Sequence, residues 1–299
     1  YGLMKMSSKN EKFKRYVLDF KLFLKVFRSS PLALVGVIII AIFLFMSIFG
    51  SILAPQDVYA TNLNQQFKPP SAEHWFGTDE LGRDTFSRVL YGAKYSLQVG
   101  ITVITLSGSI GITVGLVAGW YGGKVDEIIM RITDVFMAVP GIILAIAIVS
   151  AIGPSLQNVM IGLAITWWPW YARLVRSLVL SLREAAFVEA ARSLGASNIR
   201  IMRLHLLPNA LGPVLVTISL DFGGVIIVAA GLSFIGFGAQ PPLPEWGLLI
   251  ALARTYITTS WWLSFFPGAV LFLSVLGFNL LGDGLRDALD PKLRRQGST

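Results

Sequence analysis

The feature that most constrains this chain is residues 32–52, a continuous apolar run without a single charged side chain. An α-helix rises about 1.5 Å per residue, so roughly 20 residues cross the ~30 Å hydrocarbon core of a bilayer. A helix that is apolar on every side cannot lie on the surface of a soluble protein. The run therefore predicts a helix that spans a membrane.

The rest of the chain repeats this pattern. Only 14% of its residues are charged, whereas soluble domains carry about a quarter, and the mean hydropathy is +0.67. Length and apolar content predict further spans at about 96–119, 133–152, 156–180, 209–232 and 262–283. The sequence thus predicts an all-α polytopic membrane protein with six transmembrane helices and both termini on one side.

The basic residues are distributed unequally between the two predicted faces. Of the 25 Lys and Arg residues, five fall on the face opposite the termini, namely Lys68, Arg83, Arg88, Lys94 and Arg254. Because Lys and Arg concentrate in cytoplasmic loops, both termini and the 173–203 segment are predicted to be cytoplasmic. This topology accounts for the net charge of +8 without a nucleic acid partner.

The first 30 residues are predicted to form a separate element. Apolar residues recur there at helical spacing among lysines and arginines: Phe13, Tyr16, Val17, Phe20, Phe23, Leu24 and Phe27. This pattern is typical of an amphipathic helix on the inner leaflet of membrane lipid; the alternative, a solvated charged tail, fits residues 1–10 better. The predicted organisation is a cytoplasmic tail with an interfacial helix (1–30), a transmembrane domain (31–291) and a cytoplasmic tail (292–299).

Two predicted spans contain unusual residues. Gly111, Gly115 and Gly119 repeat at four-residue intervals, which makes a flat stripe where another helix can approach closely, in this chain or in a partner. The cluster at 167–170, Trp-Trp-Pro-Trp, favours a membrane interface or a kinked helix end.

Several kinds of catalytic site are not supported by the sequence. Cys is absent, and the two histidines, His74 and His205, lie far apart, so thiolate and His-based metal sites are disfavoured. A phosphate-binding loop requires Gly-x4-Gly-Lys-Ser/Thr, and the nearest lookalike, at 122–125, lacks the first Gly and the hydroxyl. We therefore expect neither ATP hydrolysis nor a cofactor in this chain, and a membrane enzyme ranks third among the interpretations.

One water-compatible segment, residues 183–203, lies between two spans. Its Ala, Glu, Arg and Leu residues favour a helix, and Gly195 is a natural stop. We expect Val188, Ala191 and the Leu194–Gly195 pair to face a groove on a partner, with charges on the flanks. Composition alone leaves an ordinary loop helix as an equal alternative.

The spacing in this segment is more specific. Glu189-Ala190-Ala191-x3-Gly195, closing at Leu207-Pro208, resembles the loop of binding-protein-dependent ABC importer permeases, although His205 occupies a position where that pattern has Ile. The resemblance implies that residues 184–208 contain a coupling helix, which docks on a separate ATPase.

Three further stretches are similar to the dipeptide/oligopeptide/nickel branch of that family, and specifically to its second permease subunit: residues 76–88, 125–140 and 281–291. The resemblance implies a bacterial cytoplasmic membrane location, a homologous permease subunit, two ABC ATPase subunits that carry ATP and Mg, and an extracytoplasmic substrate-binding protein. The expected cargo is a dipeptide or oligopeptide.

Asp221 falls near the middle of the fifth predicted span. A carboxylate at that depth costs about 2.5–3.5 kcal/mol on insertion scales, so it should face a cavity or a partner. It is a candidate for the translocation path, with an interhelical hydrogen bond as an equal alternative. An ion-coupled carrier or channel that works without ATPase partners is the alternative function, although such carriers often show internal repeats and none is evident.

The segment after the fifth span contains Pro241, Pro242 and Pro244, which prevent it from forming a spanning helix. Apolar helical character returns only at 248–253, too short to cross a bilayer. We expect an outer cap or a re-entrant segment. The polar, turn-rich stretch 77–84 is expected on the same face, either as an entrance beneath a docked protein or as a rigid connector.

Overall fold

A computed structural model describes residues 27–28 and 30–289. These residues are predominantly helical, and their only β-structure is an isolated bridge between Thr78 and Asp84. Apart from the helical residues Phe27 and Arg28, the predicted interfacial helix lies outside the described residues, as does the predicted tail at 292–299.

The α-helices of the described residues are, in chain order, α1 (Pro31–Leu53), α2 (Thr85–Tyr121), α3 (Gly123–Ala138), α4 (Gly141–Ile152), α5 (Leu156–Leu182), α6 (Ala186–Ser193), α7 (Asn198–Ile201), α8 (Leu207–Phe234), α9 (Trp246–Ala253) and α10 (Trp262–Leu289). A π-helical turn, Met202–Leu206, joins α7 to α8. Short 3-10 turns occur at Leu63–Gln65 and Arg254–Tyr256.

Four described segments are long and apolar enough to cross a membrane: α1, α2, α10 and the continuous stretch Asn198–Phe234 that contains α7 and α8. The pair α3 and α4 passes the same test only as a broken span, bent by 85°. Helix α5 is long enough, but its window is not apolar enough to qualify. The structure therefore supports four or five spans by length and composition, rather than the six expected.

The span predicted at 133–152 is not one continuous helix, because the chain breaks between α3 and α4. Val139 has an extended backbone (φ −99°, ψ 132°) and Pro140 caps α4. The ring of a proline clashes with a helical conformation of the residue before it, which pushes that residue into the extended region. Pro140 thus separates the two helices.

Of the two alternatives for the Trp cluster, a membrane interface or a kinked helix end, the helix end is wrong. Residues 167–170 lie in the middle of α5, and Pro169 is inside a continuous helix. Proline is tolerated in membrane helices because neighbouring groups satisfy the freed backbone carbonyl.

The glycine stripe packs inside the chain, along α5. A Cβ on Gly111 would collide with Tyr171, one on Gly115 with Val175, and one on Gly119 with Val179 at 2.8 Å. Three successive turns of α2 therefore touch α5 backbone to backbone, which only glycine permits. The expectation of tight packing is confirmed, with a helix of the same chain as the partner.

Helix α9 is short and inserted into the fold, as expected for a cap or re-entrant segment. Its Trp246 is fully buried and donates an indole hydrogen bond to the carbonyl of Val89 at 2.9 Å. Glu245 caps the helix by accepting from the amides of Gly247 and Leu248, both at 2.9 Å. Burial raises the pKa of the Glu245 carboxyl, although these two donors oppose the shift.

The connector between α1 and α2, residues 54–84, folds over the end of the bundle through a buried polar network. Asp79 accepts from the Arg83 side chain at 2.7 Å and lies 3.5 Å from the Arg88 guanidinium. His74 contacts Asp84 at 3.0 Å, and both are buried. Each of these buried carboxylates has a basic neighbour within the chain, as expected of a rigid connector, although the Nε of Arg88 forms no hydrogen bond among the described residues.

Asp84 also begins the next helix. Its carboxylate accepts from the amide of Ser87 at 2.8 Å and from the Ser87 hydroxyl at 2.6 Å, which is the side-chain cap of α2. Such caps satisfy amides that have no partner within the helix. The same residue therefore ties the connector to the start of α2.

Candidate docking site

The candidate site is the loop 183–208, which contains α6, α7 and the π-helical turn. Helix α6 ends in a Schellman motif: the amide of Gly195 donates to the carbonyl of Arg192 at 2.8 Å, and the amide of Ala196 to that of Ala191 at 3.1 Å. Gly195 has φ +77°, a left-handed conformation in which glycine carries no Cβ penalty. The predicted helix and its glycine stop are both confirmed.

One face of α6 is buried in the chain's own core. Val188 is fully buried and Ala191 is 8% exposed. They pack in a hydrophobic cluster below the bundle, whose other buried members are Trp120, Val175, Val179, Ile201, Leu206 and Val214. The expectation that Val188 faces a partner is therefore wrong, because its side chain packs against α2, α5 and α8. Ala191 packs in the same cluster but also lines a surface groove.

The opposite face of α6 is exposed. Leu194 is 88% exposed and Phe187 41% exposed, and Glu189 and Ala190 also lie at the surface. A groove runs between this face and the π-helical turn, lined by Phe187, Ala190, Ala191, Leu194, Gly195, Ala196, Arg200 and His205. The exposed surface thus combines large apolar groups with unburied charge, which is the usual composition of a docking surface.

The charges around the groove are largely unpaired. Glu189, Arg200 and Arg203 are exposed and form no ion pair in the part of the chain that the structure describes. Arg192 is different, because its guanidinium lies 4.6 Å from the ring centroid of Trp120 at the end of α2. This cation–π contact joins α6 to a long helix of the bundle.

A second link connects the start of the loop to the bundle. Arg183 donates to the carbonyl of Gly119 at 3.2 Å and pairs with the adjacent Glu184 at 2.9 Å. A displacement of α6 would therefore act directly on α2, both through Arg183 and through Arg192.

Leu207 and Pro208 lie at the first turn of α8, immediately after the π-helical turn. Pro208 has no amide to donate, and the helix continues through it directly after the π-helical turn. Leu206 is fully buried in the same cluster as Val188, whereas Pro208 is exposed. The sequence motif thus joins the loop to the long α8 helix rather than adding to the groove.

Asp221 lies well inside α8, roughly 20 Å along the helix from Pro208 at 1.5 Å per residue, so it does not belong to the loop. Its carboxylate lies near the side chains of Tyr171 and Trp167 on α5, but the buried Tyr171 hydroxyl forms no hydrogen bond among the described residues. The two roles weighed for Asp221, the translocation path and an interhelical hydrogen bond, both remain predictions.

Two features of this site were not anticipated from the sequence. Phe187 and His205 lie with ring centroids 6.4 Å apart on the groove, and Arg192 pairs with Trp120 across 72 positions of the sequence. The sequence contained one indication of the contact between Phe187 and His205, because His205 lies three residues before Pro208 in the loop motif. The contact with Trp120 depends on tertiary packing and had no local signal.

Two family models match the chain. Residues 111–295 match the model described as a binding-protein-dependent transport system inner membrane component. Residues 20–70 match the model described as the N-terminal TM domain of oligopeptide transport permease C. The first match contains the whole of the loop 183–208.

Curated relatives are similar over nearly their full length. The dipeptide transport system permease protein of Alkalihalophilus pseudofirmus is 50% identical over 270 residues, which covers 90% of this chain and 89% of the relative. The oligopeptide transport system permease protein of Bacillus subtilis is 42% identical over 269 residues, which covers 90% and 88%. A probable D,D-dipeptide transport system permease protein of Escherichia coli is 46% identical over 265 residues, with 89% of each chain covered.

Solved structures share the fold at lower identity. A structure of the MetNI methionine ABC transporter in inward-facing conformations matches with a TM-score of 0.56 and 22% sequence identity. The match covers 68% of this chain and 96% of that one. It supports the same all-helical membrane architecture.

Proposed function

Because the chain belongs to the family of binding-protein-dependent transport system inner membrane components, we propose that it imports peptides as one permease subunit of a larger assembly. The chain is a membrane subunit of an ABC transporter. Relatives named as dipeptide and oligopeptide permeases support a dipeptide or oligopeptide as cargo. An ion-coupled carrier is not favoured by these relatives.

In this proposal α6 is the coupling helix. The observation that carries it is the division of α6 into a buried face, which packs on three long helices, and an exposed face with Leu194, Phe187 and Glu189. A partner that seats in the groove can therefore push on the bundle without first ordering a flexible loop. Two ABC ATPase subunits supply ATP, Mg and the force.

The remaining parts of the assembly follow from the family. The proposal places both termini and the loop 183–208 in the cytoplasm, the connector 54–84 on the outer face, and a homologous permease subunit beside this chain. A substrate-binding protein delivers the peptide from outside. Six membrane crossings require that α5 spans the bilayer and that the bent pair α3 and α4 counts as one crossing; the domain boundaries 1–30, 31–291 and 292–299 belong to the same proposal.

Asp221 remains a proposed path residue, with the hydrogen bond to α5 as its alternative. Tyr171 on α5 is the candidate partner for that hydrogen bond, since its buried hydroxyl interacts electrostatically with Asp221 and has no hydrogen bond among the described residues. Replacement by Asn retains the hydrogen-bonding shape and removes the charge, so unchanged peptide uptake by Asp221→Asn vesicles would assign the residue to packing.

Copurification of the ATPase tests the coupling role. We expect Glu189→Lys to reduce ATPase recovery with the permease about tenfold, because it reverses an exposed charge beside the groove (about 1.4 kcal/mol). Glu127→Lys is the matched control, since Glu127 is also exposed, at the start of α3. Full recovery with Glu189→Lys, or equal loss in both variants, would exclude the loop as the docking site.

Uptake into membrane vesicles tests the transport class. The proposal requires ATP and the co-expressed partners for peptide uptake. Uptake driven by an ion gradient with this chain alone would instead establish a secondary carrier.

A further inference from the structure

Helix α2 carries a polar stripe that neither the glycine packing nor the docking loop uses. From Tyr91 to Thr113, polar side chains recur every three or four residues on one side of the helix: Tyr91, Lys94, Tyr95, Gln98, Thr102, Thr105, Ser109 and Thr113. At 3.6 residues per turn they fall within a sector about 100° wide, in which the one apolar residue is Ile112. A helix immersed wholly in lipid or in an apolar core has no reason to keep such a sector.

The stripe lies on the surface of this chain. Gln98, Thr105, Ser109 and Thr113 are exposed, whereas the other side of α2 is buried against neighbouring helices. The hydroxyl of Thr113 donates to the carbonyl of Ser109 at 2.8 Å. The side chains of Gln98, Thr102, Thr105 and Ser109 form no hydrogen bond among the described residues.

These unpaired polar groups are incompatible with a lipid-facing surface. An amide or hydroxyl moved into hydrocarbon without a hydrogen bond costs several kcal/mol. The apolar residues just outside the sector behave differently, since Leu106 and Ile110 are each 44% exposed and suit contact with lipid. The lipid-facing surface and the water-facing surface of α2 therefore meet along the helix, between residues that are adjacent in the sequence.

One end of the stripe concentrates hydrogen-bonding groups and charge. The Lys94 ammonium lies 3.6 Å from the ring centroid of Tyr91 and 5.0 Å from that of Tyr95, and Tyr59 of the connector packs against Tyr91 with 6.1 Å between ring centroids. Tyrosine hydroxyls and an ammonium are suited to a carboxylate and to peptide carbonyls. The hydroxyls and the amide that follow can exchange hydrogen bonds with a peptide backbone in turn.

From this geometry we propose that the polar stripe of α2 lines the water-filled path of the cargo, with Lys94 as the carboxylate contact at its outer end. The inference rests on the proposed peptide import and adds the surface on which the peptide travels. The path is open on one side in this chain, so the homologous subunit closes it. Asp221 lies on a different helix, α8, next to Tyr171 and Trp167 of α5.

The chain contains no Cys, so no native cysteine of this subunit has to be replaced before single cysteines are introduced. Thr105→Cys and Ser109→Cys place a thiol on the stripe, and Leu106→Cys and Ile110→Cys place one at the same depth but about 100° away. In the assembled transporter, a charged methanethiosulfonate reagent should modify the stripe cysteines at least about tenfold faster, because the reactive thiolate forms only in contact with water. A transported dipeptide should slow the stripe reactions.

Equal rates within each pair would overturn the proposal. So would a stripe cysteine that resists the reagent but is cross-linked to the neighbouring permease by a short bismaleimide, because the stripe would then be a subunit interface. ATP-dependent uptake by the same unlabelled variants reports separately on the proposed function. Variants that transport peptide but whose stripe cysteines do not react would exclude the proposed path along α2. The proposed importer function would be retained.

Discussion

The connector 54–84 and the loop 183–208 are both polar segments between long helices. They differ in where their charged side chains lie, since the connector buries them and the loop exposes them. In the connector, Asp84 is 2% exposed and is held by His74, and nearby Arg88 is 1% exposed and faces Asp79. In the loop, Glu189 and Arg200 are exposed and unpaired among the described residues. A segment whose charges pair within the chain stabilises the fold, whereas a segment whose charges face water can use them to bind a partner.

The largest effect is expected where a buried charge loses its partner. Asp79→Asn removes the carboxylate that the buried Arg83 and Arg88 share, and breaking a buried ion pair costs about 3–5 kcal/mol. We expect a marked fall in the unfolding temperature of the purified protein in detergent, and a low yield.

Glu127→Gln is the control for this change. Glu127 and Arg131 form a largely exposed pair at 3.8 Å, and such pairs contribute about 0–1 kcal/mol. If both variants unfolded at the same temperature, the buried charges of the connector would not stabilise the fold.

The loop should respond differently on its two faces. Val188→Asp places a charge in the cluster below the bundle, where the buried Val alone contributes about 1.5–3 kcal/mol. Hydrogen exchange of residues 186–206 should therefore accelerate strongly. Leu194→Asp makes the same chemical change at a residue that is 88% exposed, so it should leave exchange unchanged and reduce only ATPase recovery.

A reversed result would invert the assignment of the faces. If Leu194→Asp accelerated exchange while Val188→Asp reduced only ATPase recovery, α6 would present Val188 to the partner, as first expected from the sequence, and would bury Leu194. The comparison between connector and loop would then have no structural basis.

Sequence patterns predicted the elements better than they predicted their environments. The helix over 186–193 and its stop at Gly195 follow from local preference and backbone geometry, which a short stretch of sequence contains. Which face of α6 is buried depends on Trp120, Val175 and other residues distant in the chain. Local sequence does not encode that choice, so Val188 was placed on the wrong side.

The same limit applies to the connector and to the spans. Asp79, Arg83 and Arg88 form a charged, turn-rich pattern that is typical of a surface, and only the fold shows that they pair in a buried network. The break at Pro140 was different, because the restriction on the residue before a proline is local. The apolar composition of 133–152 suggested a single helix, although Pro140 itself indicated a helix boundary.

The smallest effects compare one glycine from each region. Gly82 in the connector has φ +71° and Gly195 in the loop has φ +77°, so a Cβ at either position carries the strain of a left-handed backbone, about 1–2 kcal/mol. A Cβ on Gly82 would also collide with the backbone carbonyl of Asn62, whereas nothing lies within 4 Å of one on Gly195. Gly82→Ala should therefore destabilise more than Gly195→Ala, and the difference measures packing alone.

Asparagine provides the control, because its side chain tolerates the left-handed region better than alanine does. Residues 186–206 should exchange their amide hydrogens more slowly in Gly195→Asn than in Gly195→Ala, and Gly195→Asn should retain more of the ATPase. Each difference between the two variants should be about tenfold or less, since 1.4 kcal/mol corresponds to a factor of ten. If alanine and asparagine behaved alike at Gly195, backbone strain would not govern the end of α6, and the open space around Gly195 would have to serve a contact with the partner instead.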